Sequence, residues 1–182
     1  MATPLETFHQ LKQFLAFDDA DAARLRTLGP LFEQAGPGIT DRFYGDLGRF
    51  PETAALLEGQ VERLKGTHGV WMMALFAGEY GEPWFERQLR IGQAHVRVGL
   101  SPHWVEAVMD VMRTEGTRAI LAAFEDKETA AAHIASYTKI LDLDLAIINL
   151  AYNEERLDRL TRLTGMRRAL IEKMVMTAGK KK

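Results

Sequence analysis

The sequence predicts an all-α fold, and three observations carry that prediction. Apolar residues recur every three to four positions along the chain. Sustained alternation of apolar and polar residues, as in a series of half-buried strands, is absent. Pro and Gly clusters fall between the periodic segments. With 182 residues, 47% of them hydrophobic, the chain is long enough for one domain with a sizeable core.

A first short helix is expected from about Pro4 to Leu15, with Leu5, Phe8, Leu11 and Leu15 on one side. Asp18 and Asp19 cap a second, which carries Leu25, Leu28 and Leu31. Pro37-Gly38 predicts a bend or break before Ile39 to Leu47, the segment with Phe43 and Tyr44. Pro51 opens a short helix containing Leu56 and Leu57, and a fifth runs from about Gln60 to Phe76, ending at Gly78. Pro83 occupies the first turn of the next, where a missing N–H is harmless, and Gly99 closes it. Ser101-Pro102 starts another, with Val105, Val108, Met109, Met112, Ile120 and Leu121 inward as far as about Phe124. The last helix begins near Asp126 and meets no proline through Lys182. Beyond residue 155 it is expected to continue, with Leu157, Leu160, Leu163, Leu170 and Met174 as an amphipathic stripe.

Composition excludes several classes of function. A formal net charge of -2 gives no general attraction to nucleic acid or to an anionic membrane. The absence of cysteine excludes disulfides, thiolate ligands and a cysteine nucleophile, and suits a reducing compartment. The first residues, MATPLETFHQLKQF, lack a basic leader followed by an apolar run, and no run of about 18 uncharged apolar residues occurs. A soluble cytoplasmic protein is therefore expected, with no membrane span and no nucleic-acid partner. Lys180 to Lys182 read as a solvated tail.

Two histidines interrupt apolar faces. His68 lies in the middle of the face formed by Val61, Leu64, Trp71, Met72 and Leu75. His95 shares a side with Trp84, Ile91, Gly92, Val98 and Gly99. An imidazole on such a stripe costs desolvation unless both nitrogens find partners. Taken alone, each is more often a core histidine bonded to a carbonyl or water than a ligand. A metal ion held directly would want three or four protein ligands, and neither helix offers an inward carboxylate, since Glu62 and Glu86 point elsewhere. Two imidazoles beside a broad apolar wall suit a flat apolar cofactor instead. Haem supplies four nitrogens and leaves one or two axial positions. At this level a plain helical core remains the alternative.

The segment Arg90-Ile91-Gly92, His95, Gly99-Leu100 and Trp104 resembles the proximal segment of globin-coupled sensors, the bacterial haem-based sensor globins related to protoglobins. The resemblance extends over about residues 10 to 155. It includes the Phe43-Tyr44 pair, the Leu64-to-Trp71 segment, the exit Leu75-Phe76-Ala77-Gly78-Glu79-Tyr80 and the long final helix. It implies a globin fold with an extra N-terminal helix, no separate D helix and an extended C-terminal helix, in agreement with the helices counted above. It implies haem b, with His95 as the proximal iron ligand and Tyr44 on the distal side, within reach of an iron-bound gas or water. Phe43, Leu64, Trp71, Met72 and Ile91 are the other residues expected against the haem. Some members of the family carry a ligating histidine on the distal helix and others an apolar residue, so His68 reads equally as a second iron ligand or as a pocket residue. Arg90 and Arg97 read as solvated surface charge in preference to propionate contacts.

The function so implied is sensing. Binding of a diatomic gas (O2, CO or NO), or a change of iron redox state, would shift the distal helix and act through a homodimer interface on a transmitter domain or partner protein. The helix from Ser101 and the last helix would form that interface. Its motive is the apolar excess between Leu141 and Tyr152, where Leu143, Leu145, Ile147, Ile148 and Leu150 span more than one face. Residues 1–155 are read as the sensor globin domain and 156–182 as a helical extension too short for a transmitter enzyme, so the chain is not expected to be an enzyme. A haem-free globin-like interaction module, or a haem enzyme with oxygen or nitric oxide chemistry, are the competing readings.

Overall fold

The structure is a computed structural model that describes residues 3–178; the Lys180 to Lys182 tail lies outside it. Eight helices and no strand occur among the described residues: α1 (Pro4–Phe14), α2 (Asp19–Leu47), α3 (Pro51–Leu57), α4 (Val61–Ala74), α5 (Glu82–Arg97), α6 (Pro102–Ala123), α7 (Lys127–Thr164) and α8 (Arg168–Thr177). No helix among these residues is long and apolar enough to cross a membrane.

Local chemistry sets most of the boundaries. Capping boxes pair Thr3 with Glu6 at the start of α1 and Asp18 with Asp21 at the start of α2. Asp126 accepts from the Thr129 amide at the start of α7. Ser101 stands at the N-cap of α6, but its hydroxyl donates to Glu52 Oε1 at 3.1 Å and ties α6 to α3. Gly99 and Gly165 follow their helices with φ of +77° and +67°, the left-handed conformation in which a β-carbon is disfavoured.

Two expectations are corrected. Pro37-Gly38 does not break the chain; α2 is one helix of 29 residues that passes through Pro30 and Pro37. Both prolines sit on its solvent side, and Arg26 and Glu33, whose carbonyls lose their helical donors, are exposed as well, so water can satisfy them. The opposite face buries Leu25, Leu28, Phe32, Ile39 and Leu47, which holds the helix together across the interruption. The final helix, by contrast, does not run on. It crosses residue 155 without a break, ends at Thr164, and turns at Gly165 so that α8 folds back. Arg168 then makes a paired contact with both Glu154 oxygens at 2.5 and 2.6 Å, and Ile171 is buried.

The core lies between α2, α4, α5, α6 and α7. Phe32, Phe76 and Tyr137 stack at its centre, with ring centroids 4.3 Å apart for the first two, and the Tyr137 hydroxyl donates to the Met112 carbonyl at 2.8 Å. Phe8 brings α1 onto Trp84 and Phe85 of α5. At Gly92, α5 approaches α7 so closely that a β-carbon there would stand 2.6 Å from Ala151 Cβ and 3.1 Å from Ile148 Cα. Leu141, Leu143, Ile147 and Ile148 are buried within the chain itself, and Leu145 and Leu150 are half-buried. The apolar excess of α7 is therefore largely covered by its own neighbours.

Candidate haem site

Six helices enclose a cavity of about 370 Å3. That is within the range of preformed small-molecule sites, about 300–1,000 Å3. Phe43 and Tyr44 of α2, Leu57 of α3, Leu64, His68 and Trp71 of α4, Ile91 and His95 of α5, and Trp104, Val105 and Met109 of α6 line it, with Ile148 of α7 on one side. Seven of the eight residues expected at the site thus share one cavity: Phe43, Tyr44, Leu64, His68, Trp71, Ile91 and His95.

Met72 does not join them. It is 1% exposed, and its sulfur lies 3.0 Å from where a β-carbon on Gly36 would stand, between α4 and α2. The reason is helical phase. Leu64 and Trp71 face the cavity, His68 sits at the edge of that face, and Met72 lies about 40° further round. Arg90 and Arg97 are exposed and away from the lining; Arg90 pairs with Glu86 at 3.6 Å. The guanidinium groups at the cavity are Arg63 and Arg87. Arg87 stands four residues before Ile91 and eight before His95, a spacing that could have marked it.

His68 is buried and sandwiched between Phe43 and Trp71, with ring centroids at 4.4 and 4.9 Å. Its Nδ1 is 2.9 Å from Thr40 Oγ1, while its Nε2 is buried with no partner among the described residues. In His95 the buried nitrogen without a partner is Nδ1. Burial pushes both imidazoles down to about 4, so both are neutral at pH 7 with a lone pair available. Burial also raises the Tyr44 phenol to about 12, which keeps it a hydrogen-bond donor at the cavity wall. Behind that wall, Trp71 Nε1 donates to Asp144 Oδ1 at 3.3 Å, and burial pushes the Asp144 carboxyl up to about 7. Thr40 and Asp144 reach the site from α2 and α7, and neither was anticipated.

This donor set fits haem. Two neutral imidazoles on an apolar cavity cannot alone complete a metal's coordination shell, and among the described residues no group of three or more His, Cys, Asp or Glu could hold an ion. A planar group that brings its own four nitrogens needs only the axial positions, and costly orphan nitrogens on His68 and His95 are what such a group would relieve.

Comparison with known proteins identifies the fold and the family. The globin domain of the Geobacter sulfurreducens globin-coupled sensor is 37% identical and superposes with a TM-score of 0.76 over 79% of this chain and 96% of that one. The globin domain of Escherichia coli DosC, in a ferric crystal form, shares the fold at 14% identity, with a TM-score of 0.65 over 78% of this chain and 97% of that one. The heme-based aerotactic transducer HemAT of Halobacterium salinarum is 33% identical over 92 residues; the match spans 49% of this chain and only 19% of that protein. The protoglobin family model matches residues 5–158. The chain belongs to the protoglobin family.

Proposed function

We propose that this chain is a haem-binding sensor domain that detects a diatomic gas. One observation carries the reading: two neutral inward histidines, from α4 and α5, each with a buried nitrogen that lacks a partner among the described residues, line one apolar cavity. Haem b, when bound, would supply an iron that binds O2, CO or NO reversibly. His95 would hold it in this reading. His68 competes with the gas for the other side, its ring held by Thr40, Phe43 and Trp71. Tyr44 offers a hydroxyl donor to whatever stands in the distal space, Leu64 and Ile91 exclude water, and Arg63 and Arg87 are placed to meet haem carboxylates.

The sensing reading draws on the names of the relatives, a globin-coupled sensor and an aerotactic transducer. Protoglobin-type globin domains are ligand-binding modules, so a catalytic role is not assigned. Signal would leave through α6 and α7 to a homodimer partner and from there to a transmitter domain or protein in the cytoplasm. Leu121 on α6 and Leu160 and Leu163 on α7 stay exposed in the single chain, which supports such an interface. Light scattering that reads a monomer at micromolar concentration would remove the dimer from the proposal. The decisive experiment is His95→Ala: the wild-type chain should show a strong Soret band after haem addition, and the variant should lose it or bind haem weakly. An unchanged spectrum in the variant sinks the assignment.

A further inference from the structure

Haem accounts for the histidines but not for a polar pair behind the cavity wall. Asp144 of α7 and Gln88 of α5 are both 0% exposed. Asp144 Oδ1 receives the Trp71 indole N–H, but Asp144 Oδ2 and both polar atoms of the Gln88 amide have no partner among the described residues. Buried polar atoms are rarely left so, and three on two side chains require a reason.

For Asp144 the Trp71 contact and the packing of α5 on α7 supply one. A β-carbon at Gly92 would stand 2.6 Å from Ala151 Cβ and 3.1 Å from Ile148 Cα, so the two helices meet closely, and Gln88 and Asp144 lie one turn before Gly92 and Ile148 on them. Just past the end of α5 the Tyr152 hydroxyl donates to the Leu100 carbonyl at 2.7 Å. Enclosed in this way, the Asp144 carboxyl is held in its neutral form by burial. A neutral acid carries its proton on Oδ2 and still accepts the Trp71 N–H at Oδ1.

We infer that Asp144 is a positioning residue: it fixes the Trp71 indole against His68 and so ties α4 to α7 beside the site. The Trp71 ring lies 4.9 Å from the His68 ring, so the anchor of the indole determines how far the imidazole can swing. Asp144 never reaches the cavity. It acts through Trp71, and its consequence is the balance between His68 and an external gas. This inference rests on the haem reading for its ligation readout, but the anchor itself exists in the haem-free chain.

The test therefore uses both forms of the full chain. In the haem-free protein, the indole N–H resonance assigned by Trp71→Phe should move in Asp144→Leu. The infrared carbonyl band of a protonated acid should vanish in Asp144→Asn. In the haem-loaded protein, Asp144→Leu should lower the six-coordinate resting fraction and raise the CO association rate about threefold or more, in proportion to the sites left open. Added to His68→Leu, the same change should do nothing further. Asp144→Asn, which keeps the shape and the acceptor for Trp71, covers the case in which Asp144→Leu fails to fold, and should stay near wild type in CO rate. Haem-free spectra without the Trp71 shift overturn the anchor. An intact anchor with an unchanged CO rate in Asp144→Leu overturns the positioning role. A missing Soret band in every form, including wild type, removes the proposed function and the ligation role with it, while the haem-free spectra still decide the anchor.

Discussion

Asp144→Asn should make the haem-free protein more stable at alkaline pH and leave it nearly unchanged in acid. Burial raises the carboxyl from 3.8 to about 7, so the folded chain binds this proton more tightly than the unfolded chain does. Below about pH 4 both states carry the proton and the group contributes no difference. As pH rises from about 4 to about 7 the unfolded chain ionises while the folded one does not, and stability falls. Above about 7 the loss is complete. A gap of about three pH units at about 1.4 kcal/mol each makes it roughly 4 kcal/mol, a large fraction of the 5–15 kcal/mol typical of a whole domain. Asparagine keeps the acceptor for Trp71 and the shape of the site but has no proton to lose. Urea unfolding followed by far-ultraviolet circular dichroism, repeated across this pH range, gives variant minus wild type; groups that titrate alike in both cancel. The difference should rise by a few kcal/mol between pH about 4 and about 8. A flat difference would mean that Asp144 ionises without hindrance in the folded protein, and the buried-acid argument would be wrong.

Two further outcomes follow from the same geometry. His68→Leu should retain haem, convert the resting spectrum toward five-coordinate iron and speed CO binding, because the external gas no longer competes with an internal imidazole; identical spectra and rates would show that His68 never meets the iron. Gly92→Ala should cost about 1–3 kcal/mol by overpacking, since its β-carbon would stand 2.6 Å from Ala151 Cβ and 3.1 Å from Ile148 backbone atoms; a thermal midpoint equal to wild type would show that α5 and α7 can part freely.

What was legible in the sequence is what local chemistry determines. The caps at Asp18 and Asp126 and the left-handed glycine at position 99 act within a turn of themselves, and the helix ends they set are those expected. Pro37 misled because its cost is local while the burial that overrides it comes from α4, α6 and α7. The turn at Gly165 was missed because a glycine inside an amphipathic pattern carries no sign of whether the next stripe will fold back, and the Glu154–Arg168 pair that fastens it spans 14 positions. At the site, one helix's phase suffices to place His68 and Trp71 together but not to tell that Met72 has turned the corner. Thr40 and Asp144 lay beyond reach, since each meets α4 from a distant segment: Thr40 touches His68 across 28 positions and Asp144 touches Trp71 across 73. Asp144 did leave one trace, as one of two carboxylates, with Asp142, in the apolar run from Leu141 to Ile148.

The missing side chain at position 92 has a mechanical consequence. Between most packed helices, side chains act as a compliant layer: they shift rotamer and absorb small displacements before either backbone moves. At Gly92 that layer is absent, and α5 meets the Ile148 backbone directly. Protein interiors compress little, so this joint is stiff. It sits three residues before His95, less than one turn away. A displacement of the α5 backbone beside that imidazole therefore bears directly on the backbone of α7.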